Sequence, residues 1–301
     1  MAEKKEKQKK VKSREEIIYN IIFGCLFTVL AFLCAYPFYY LLICTVSNNQ
    51  MVEVGAITWH PAGFHLNNYK EILGTENLGN SVFITLVRTI FGTGMGLLVT
   101  SYTAYFFTRQ EMWGRKFWYR FCVATMYFSA GMIPIYLNNK MLHLVNTFWI
   151  YIIPGLVSVY NMILIKTSME AMPPDLEESA YLDGAGYLTR FCRIVLPLQK
   201  PILATVALFS AVGHWNDFFT TKLYVTNPKL YTMQFLLYEM INQVQAQASQ
   251  ISNDTQLSAT AVTATSLRLT LTAVVTLPIM LVYPFVQKYF TKGIMMGAVK
   301  G

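Results

Sequence analysis

Glu178, Ser179 and Ala180 stand in a polar stretch, residues 172–201, between two long apolar runs. The residue types there suit helix termini better than bond-breaking chemistry. Pro173 and Pro174 stop a preceding helix. Asp175 is placed to cap a new one, with Glu178 three residues on as its capping-box partner. Gly184 and Gly186 suit a left-handed helix end. Tyr187 to Ile194 can form a second short helix that Pro197 closes. The expectation is a helix–turn–helix lying at a membrane face.

A second group suits a sugar, which has C–H faces for aromatic rings and hydroxyl edges for hydrogen bonds. Trp215, Asn216 and Asp217, inside HWNDFF (214–219), carry that mixture. Trp215 equally suits an anchor at the membrane interface. Tyr160 and Asn161 offer a second polar point, although Asn161 can instead bond a neighbouring helix. Arg88 and Arg268 fall inside apolar runs, where a charge needs a partner, a pore or a route to the headgroups. Three readings stand: ion pairs that close an outer gate, with Asp217 as a candidate partner; snorkelling; or recognition of an anionic sugar such as a uronate. Pairing or snorkelling is favoured.

Other chemistry is poorly supplied. The four His (His60, His65, His143, His214) have no ligand spacing, and the five Cys (Cys25, Cys34, Cys44, Cys122, Cys192) form no CxxC pair, so no metal site and no disulfide framework is expected. No Ser–His–Asp arrangement recommends itself. The chain has no G-x-x-x-x-G-K-[ST] loop to cradle ATP phosphates. Gly92-x-Gly94-x-Gly96 lies inside an apolar run and reads as a face for close helix approach.

The elements that position these residues are set by hydropathy. Of 301 residues, 54% are hydrophobic and only 13% charged, about half the charge of an ordinary soluble domain. Mean hydropathy is +0.38. After a charged tail, residues 1–16, six apolar runs are expected to cross a bilayer as helices: 17–43, 81–107, 117–137, 147–168, 200–220 and 261–287. The first is too long for a signal-peptide core. The net charge of +8 is not gathered on one face, as a nucleic-acid site would require. Eighteen of the 24 Lys and Arg flank the membrane on the side of the two termini and four on the other, which places both termini in the cytoplasm. The 172–201 segment then faces the cytoplasm, and residues 44–80 and 221–260 form long outer loops. Asn253-Asp-Thr255 fits a glycosylation triplet that is common by chance.

The 172–201 segment resembles the EAA motif of bacterial ABC importer permeases. Glu178, Ser179, Ala180, Gly184, Ile194, Leu196 and Pro197 keep its spacing, with Ser179 in place of the usual Ala. HWNDFF resembles a Trp-Asn-acid-Phe signature of sugar-importer permeases. The tail, residues 292–301, looks like the C-terminus of the smaller maltose-type membrane subunit. The resemblance covers nearly the whole chain. It implies an all-α polytopic membrane protein with the type I ABC importer permease fold, a permease domain over 17–290 and a cytoplasmic tail over 291–301.

The resemblance implies further that residues 172–201 dock as a coupling helix on a separate ATPase, and that Gly297, Val299 and Lys300 contact that ATPase. The expected partners are a second, homologous permease subunit, two ATPase subunits holding the ATP and Mg, an extracellular or lipid-anchored sugar-binding protein, and membrane lipids. The chain itself would need no cofactor and would catalyse no covalent step. The outer loop 241–256, rich in Gln, would reach the binding protein, unless it is only a solvated linker. Competing readings are an importer of amino acids or peptides, which leaves the Trp-Asn-Asp group unexplained, and a secondary transporter, which needs coupling carboxylates within its spans. A membrane-embedded enzyme would need clustered catalytic side chains, and the sequence offers none.

Overall fold

A computed structural model describes residues 13–74, 77–248 and 263–298. The described residues are helical, with turns between, and hold no strand. They group into two compact units, residues 1–69 with 255–270 and residues 70–254 with 271–301.

The first unit is built on α1 (Arg14–Thr45). Ser13 and Glu16 form a reciprocal capping box at its start, each side chain taking the other's backbone N–H at 3.2 Å. The helix therefore begins three residues before the expected span. Ile17, Phe23, Phe27, Leu30 and Phe32 are all exposed along it, as suits a helix surrounded by lipid or by another subunit. Burial begins at its end, where Ile43 and Cys44 pack with Val52 of α2 (Asn49–Glu53) and Ile57. Asn49 and Asn68 exchange paired side-chain hydrogen bonds at 2.9 and 3.0 Å, and Asn68 also donates to the Thr45 carbonyl at 3.0 Å. This pins the start of α3 (Asn67–Gly74) against the end of α1.

The second unit is organised around α4 (Leu78–Thr108), which packs along α11 (Lys200–Asn216) and α7 (Val159–Glu170). Ala104, Tyr105 and Phe107 of α4 meet Met162, Ile165, Met169, Phe191, Val195 and Val206 in one core. A second core joins Ile84 to Leu144, Ile150, Tyr151, Ile152, Tyr224 and Val225.

By length and composition, α1 and α4 can each cross a membrane alone. Two further pairs qualify if each bent pair is one span: Phe148–Gly155 with α7, bent by 48°, and Tyr187–Leu198 with α11, bent by 84°. The expected span 147–168 is thus broken. The expected span 117–137 is not one helix either: α5 (Arg115–Thr125) and α6 (Met132–Met141) are separate. Gly131, with φ of 84°, turns the chain there, and Pro134 sits in the first turn of α6 where its missing N–H is harmless. The expected span 200–220 ends at Asn216, because Asp217 is extended and its carboxylate takes the Thr220 N–H at 3.0 Å, starting α12 (Phe219–Tyr224). The expected outer loop 221–260 contains α13 (Met233–Ala248), so residues 241–248 are helical, while 249–262 lie outside the described residues. The last helix, α14 (Ala264–Ala298), runs eleven residues past the expected end of its span and carries Pro278 and Pro284 inside.

The glycine face of α4 is selective. A Cβ on Gly92 would stand 2.6 Å from Nε2 of His214 on α11, whereas one on Gly94 would meet nothing within 4 Å. Gly92→Ala should therefore lower the thermal midpoint of the detergent-purified protein, by the equivalent of about 1–3 kcal/mol. Gly94→Ala should be neutral or stabilising, since alanine favours the helix. Equal behaviour of the two variants in a thermal-shift assay would refute this packing.

Candidate functional site

Residues 172–201 fold into an elbow. The first arm is α8 (Asp175–Leu182). The expected capping box is absent: Pro174 occupies the N-cap position, Asp175 is the first helical residue, and the Pro174 carbonyl takes the N–H groups of Glu177 and Glu178 at 3.0 and 3.1 Å. Proline fits here because its fixed φ and missing N–H match a helix start. At the other end Ala185 N–H bonds the Ala180 carbonyl and Gly184 N–H the Tyr181 carbonyl, both at 2.9 Å, which is a Schellman cap. Gly184 makes the turn with φ of 80°.

The second arm starts with α9 (Tyr187–Arg190), widens into a π-helical turn over Phe191–Val195 and continues through α10 (Leu196–Leu198). It was expected to stop at Pro197. It runs on to Gln199 instead, since proline is tolerated in the first turn of the segment that follows the π turn. Gln199 marks the 84° bend and is buried. It accepts the Ser168 hydroxyl at 2.6 Å and donates to the Ser168 carbonyl at 3.3 Å, so it satisfies a carbonyl in the last turn of α7.

Of the motif residues, Glu178, Ser179 and Pro197 are exposed, and Ala180, Ile194 and Leu196 are half-buried. Ser179 donates to the Asp175 carbonyl at 2.8 Å. The polar contacts of the elbow centre on Glu177, which sequence reasoning passed over. Its Oε1 accepts the Tyr105 hydroxyl at 2.5 Å and pairs with Arg109, with Arg190 at 3.7 Å. Arg109 also lies 4.5 Å over the Tyr105 ring, and Arg190 4.6 Å over the Tyr187 ring. A cleft of about 500 Å³ opens beside this cluster, bounded by Arg109, Glu178 and Tyr181. The sequence offers one signal for it: Glu177 is a second acid directly beside the motif glutamate, in the first turn of α8.

Near the other end of α4, Arg88 is almost wholly buried, pairs with Asp217 and donates to the Asp217 carbonyl at 2.9 Å. Its guanidinium lies 4.4 Å over the Tyr151 ring. Tyr151 hydroxyl donates to the Leu230 carbonyl at 2.7 Å and contacts Thr221 at 3.0 Å. Beside it Lys222 bonds the Tyr238 hydroxyl, which draws that phenol below its ordinary pKa.

The other pathway candidates are scattered. Trp215 is buried, its indole N–H donating to the Val275 carbonyl at 3.1 Å, so the ring packs against α14. Asn216 is exposed but its amide bonds the Val212 carbonyl at 3.1 Å. Tyr160 is exposed, and Asn161 N–H bonds Ser158 at 3.4 Å at the start of α7. Arg268 is half-buried on α14. Gly297 lies at the end of α14, while Val299 and Lys300 fall outside the described residues. Among the described residues no cluster of three His, Cys, Asp or Glu could hold a metal.

Residues 92–296 match the family described as "Binding-protein-dependent transport system inner membrane component". The chain belongs to this family. As an inner-membrane component it has the all-helical type I importer permease fold, and both arms of the elbow lie within the matched residues. Protein LplC of Bacillus subtilis is 35% identical over 88% of this chain and 89% of its own length. The polygalacturonan/rhamnogalacturonan transport system permease protein YtcP of Bacillus subtilis is 33% identical over 93% of this chain and 97% of its own. A crystal structure of a bacterial ABC transporter that imports the acidic polysaccharide alginate contains a chain with TM-score 0.82 and 26% identity, covering 93% of this chain and 99% of that one.

The permease's buried Arg88–Asp217 pair gives a direct test. Removing one partner strands the other charge, so Arg88→Met alone should destabilise the purified protein by about 3 kcal/mol, the lower end for a buried pair because the Asp217 side chain keeps 26% exposure. Adding Asp217→Asn should recover most of that loss. A double variant as unstable as the sum of the two single ones, measured by thermal unfolding, would refute the pairing.

Proposed function

We propose that the chain is one permease half of an ATP-driven importer that carries an oligosaccharide across the cytoplasmic membrane by alternating access. It pairs with a second permease subunit, two ATPase subunits that hydrolyse the ATP, and an external sugar-binding protein. Both termini lie in the cytoplasm in this reading, which the Lys and Arg distribution supports. The observation that carries this reading is the elbow. Its turn is fixed by a Schellman cap at Gly184, and around that turn Leu176, Tyr181, Leu182 and Leu188 are all exposed, Leu182 to 80%. A rigid knob with apolar side chains at a cytoplasmic face suits a cleft on another protein. Glu178 and Ser179 lie exposed on the same arm.

The substrate class is inferred as acidic oligosaccharide. YtcP is named for polygalacturonan and rhamnogalacturonan, and the structural neighbour takes up alginate. Arg88 is not the group that would receive a carboxylate, because Asp217 and the Tyr151 ring already occupy it. It serves better as a clasp on the outer side of the pathway.

Reconstituted complex should take up labelled oligogalacturonides only with ATP and binding protein present, and neutral oligosaccharides of equal length at least tenfold more slowly. Uptake of amino acids or peptides instead, or uptake driven by an ion gradient without ATP, would overturn the reading.

The docking face gives a second test. Leu182→Asp changes an exposed side chain and should leave the permease folded. It should abolish co-purification of the ATPase, as loss of a central apolar contact does. Full retention of the ATPase would remove the elbow from the interface.

A further inference from the structure

Glu177 stands outside the spaced motif residues, and its side chain turns away from the proposed docking face. Only 12% of that side chain is exposed. One carboxylate joins three elements. Tyr105 comes from the last turns of α4, Arg109 is the residue that caps α4, and Arg190 ends α9. The Tyr105 ring also packs 5.3 Å from Phe191 at the start of the π turn. The elbow is therefore bolted to α4 through side chains, in addition to its chain connection to α7 and α11.

What α4 does at its other end gives that bolt a use. Arg88 sits seventeen residues before Tyr105 on the same unbroken helix, so the two ionic contacts are roughly 26 Å apart along its axis. That is close to the thickness of the hydrocarbon layer. One helix thus carries two charged clasps on well-separated turns: Glu177 with Tyr105 and Arg109, and Asp217 with Arg88. A helix held at two points this far apart moves as a rod. A displacement of α8 that kept Glu177 engaged would be delivered to α4, and through α4 to Arg88.

We propose that Glu177 is a positioning residue that locks the coupling elbow to α4, so that ATPase-driven movement of the elbow is delivered to the Arg88–Asp217 clasp. The inference rests on the importer reading above. The group touches no substrate and no nucleotide. It acts by making two helices one body, as a contact of this kind must if coupling is to travel through packed elements.

Glu177→Gln keeps the shape and removes the charge. Amide hydrogen exchange in the permease without substrate should then quicken roughly tenfold over residues 175–182, the loss expected for hydrogen bonds to a charged group. In proteoliposomes carrying the whole complex, ATP hydrolysed per oligogalacturonide imported should rise at least threefold, while the ATPase stays bound. Arg109→Gln should do the same, and the double variant should be no worse than either single one. Unchanged exchange with unchanged ATP per sugar would overturn the proposal. So would loss of ATPase binding with normal exchange, which would place Glu177 on the docking face. The exchange arm needs no sugar, so a wild-type complex that imported none would fail the functional reading while the lock was still judged.

Discussion

Hydrocarbon offers no hydrogen bonds to a freed peptide group, and this permease interrupts several of its apolar runs. Each interruption leaves N–H and C=O groups that need partners, and α4 supplies many of them. Its Thr100 donates to the Leu156 carbonyl at 3.1 Å and accepts from Ser158 N–H at 3.4 Å, across the break that bends the run ending in α7. Its Thr85 takes the Met233 N–H at 2.9 Å where α13 begins. Its Arg88 holds the Asp217 carbonyl where α11 stops, and its Tyr105 and the following Arg109 hold Glu177. At the bend between α10 and α11, the Gln199 side chain reaches across to Ser168 and satisfies a carbonyl in the last turn of α7. A helix with Ser81, Thr85, Arg88, Thr100 and Ser101 buried along it would be poorly placed alone in lipid. Here the polar groups on α4 are the partners that let its neighbours break.

That arrangement explains why the breaks are tolerated and why they lie beside the functional elements. The elbow turns at Gly184 and bends sharply at Gln199. The π turn at Phe191–Val195 points two side chains, Phe191 and Val195, into the same core as Tyr105. Wide turns of this type are common at functional sites because they re-aim side chains without ending the helix. At the other end, α11 stops at Asn216 and the chain turns back through α12, with Asp217 both capping the turn and pairing with Arg88. Irregular backbone and buried charge therefore meet at two places along α4, around Arg88 and around Tyr105.

Much of the elbow was legible in the sequence because turn chemistry is local. Proline pairs, a glycine after an apolar helix and a fixed run to Ile-x-Leu-Pro depend only on neighbours a few residues away. The capping box failed for an equally local reason: a proline at the N-cap already satisfied the geometry that Asp175 was read to supply. Glu177 was missed because its partners, Tyr105 and Arg109, lie about 70 residues away, and no periodicity couples them. Trp215 was read as a sugar platform or an interface anchor, and packing assigns its indole N–H to Val275 on a distant helix.

Composition favoured a membrane protein, because 54% hydrophobic residues with 13% charge would leave much of a soluble surface apolar, and the long apolar runs pointed to helices. The Lys and Arg distribution set the expected topology, and the spaced residues of 172–201 pointed to the family. The tertiary structure decided where the apolar runs break, that Asp217 is the partner of Arg88, and which acid holds the elbow. Hydropathy averages over a window and so cannot see a break whose hydrogen bonds are supplied by another helix. A buried charge announces that it needs a partner, but only the packing of α4 against α11 brings Asp217 to Arg88.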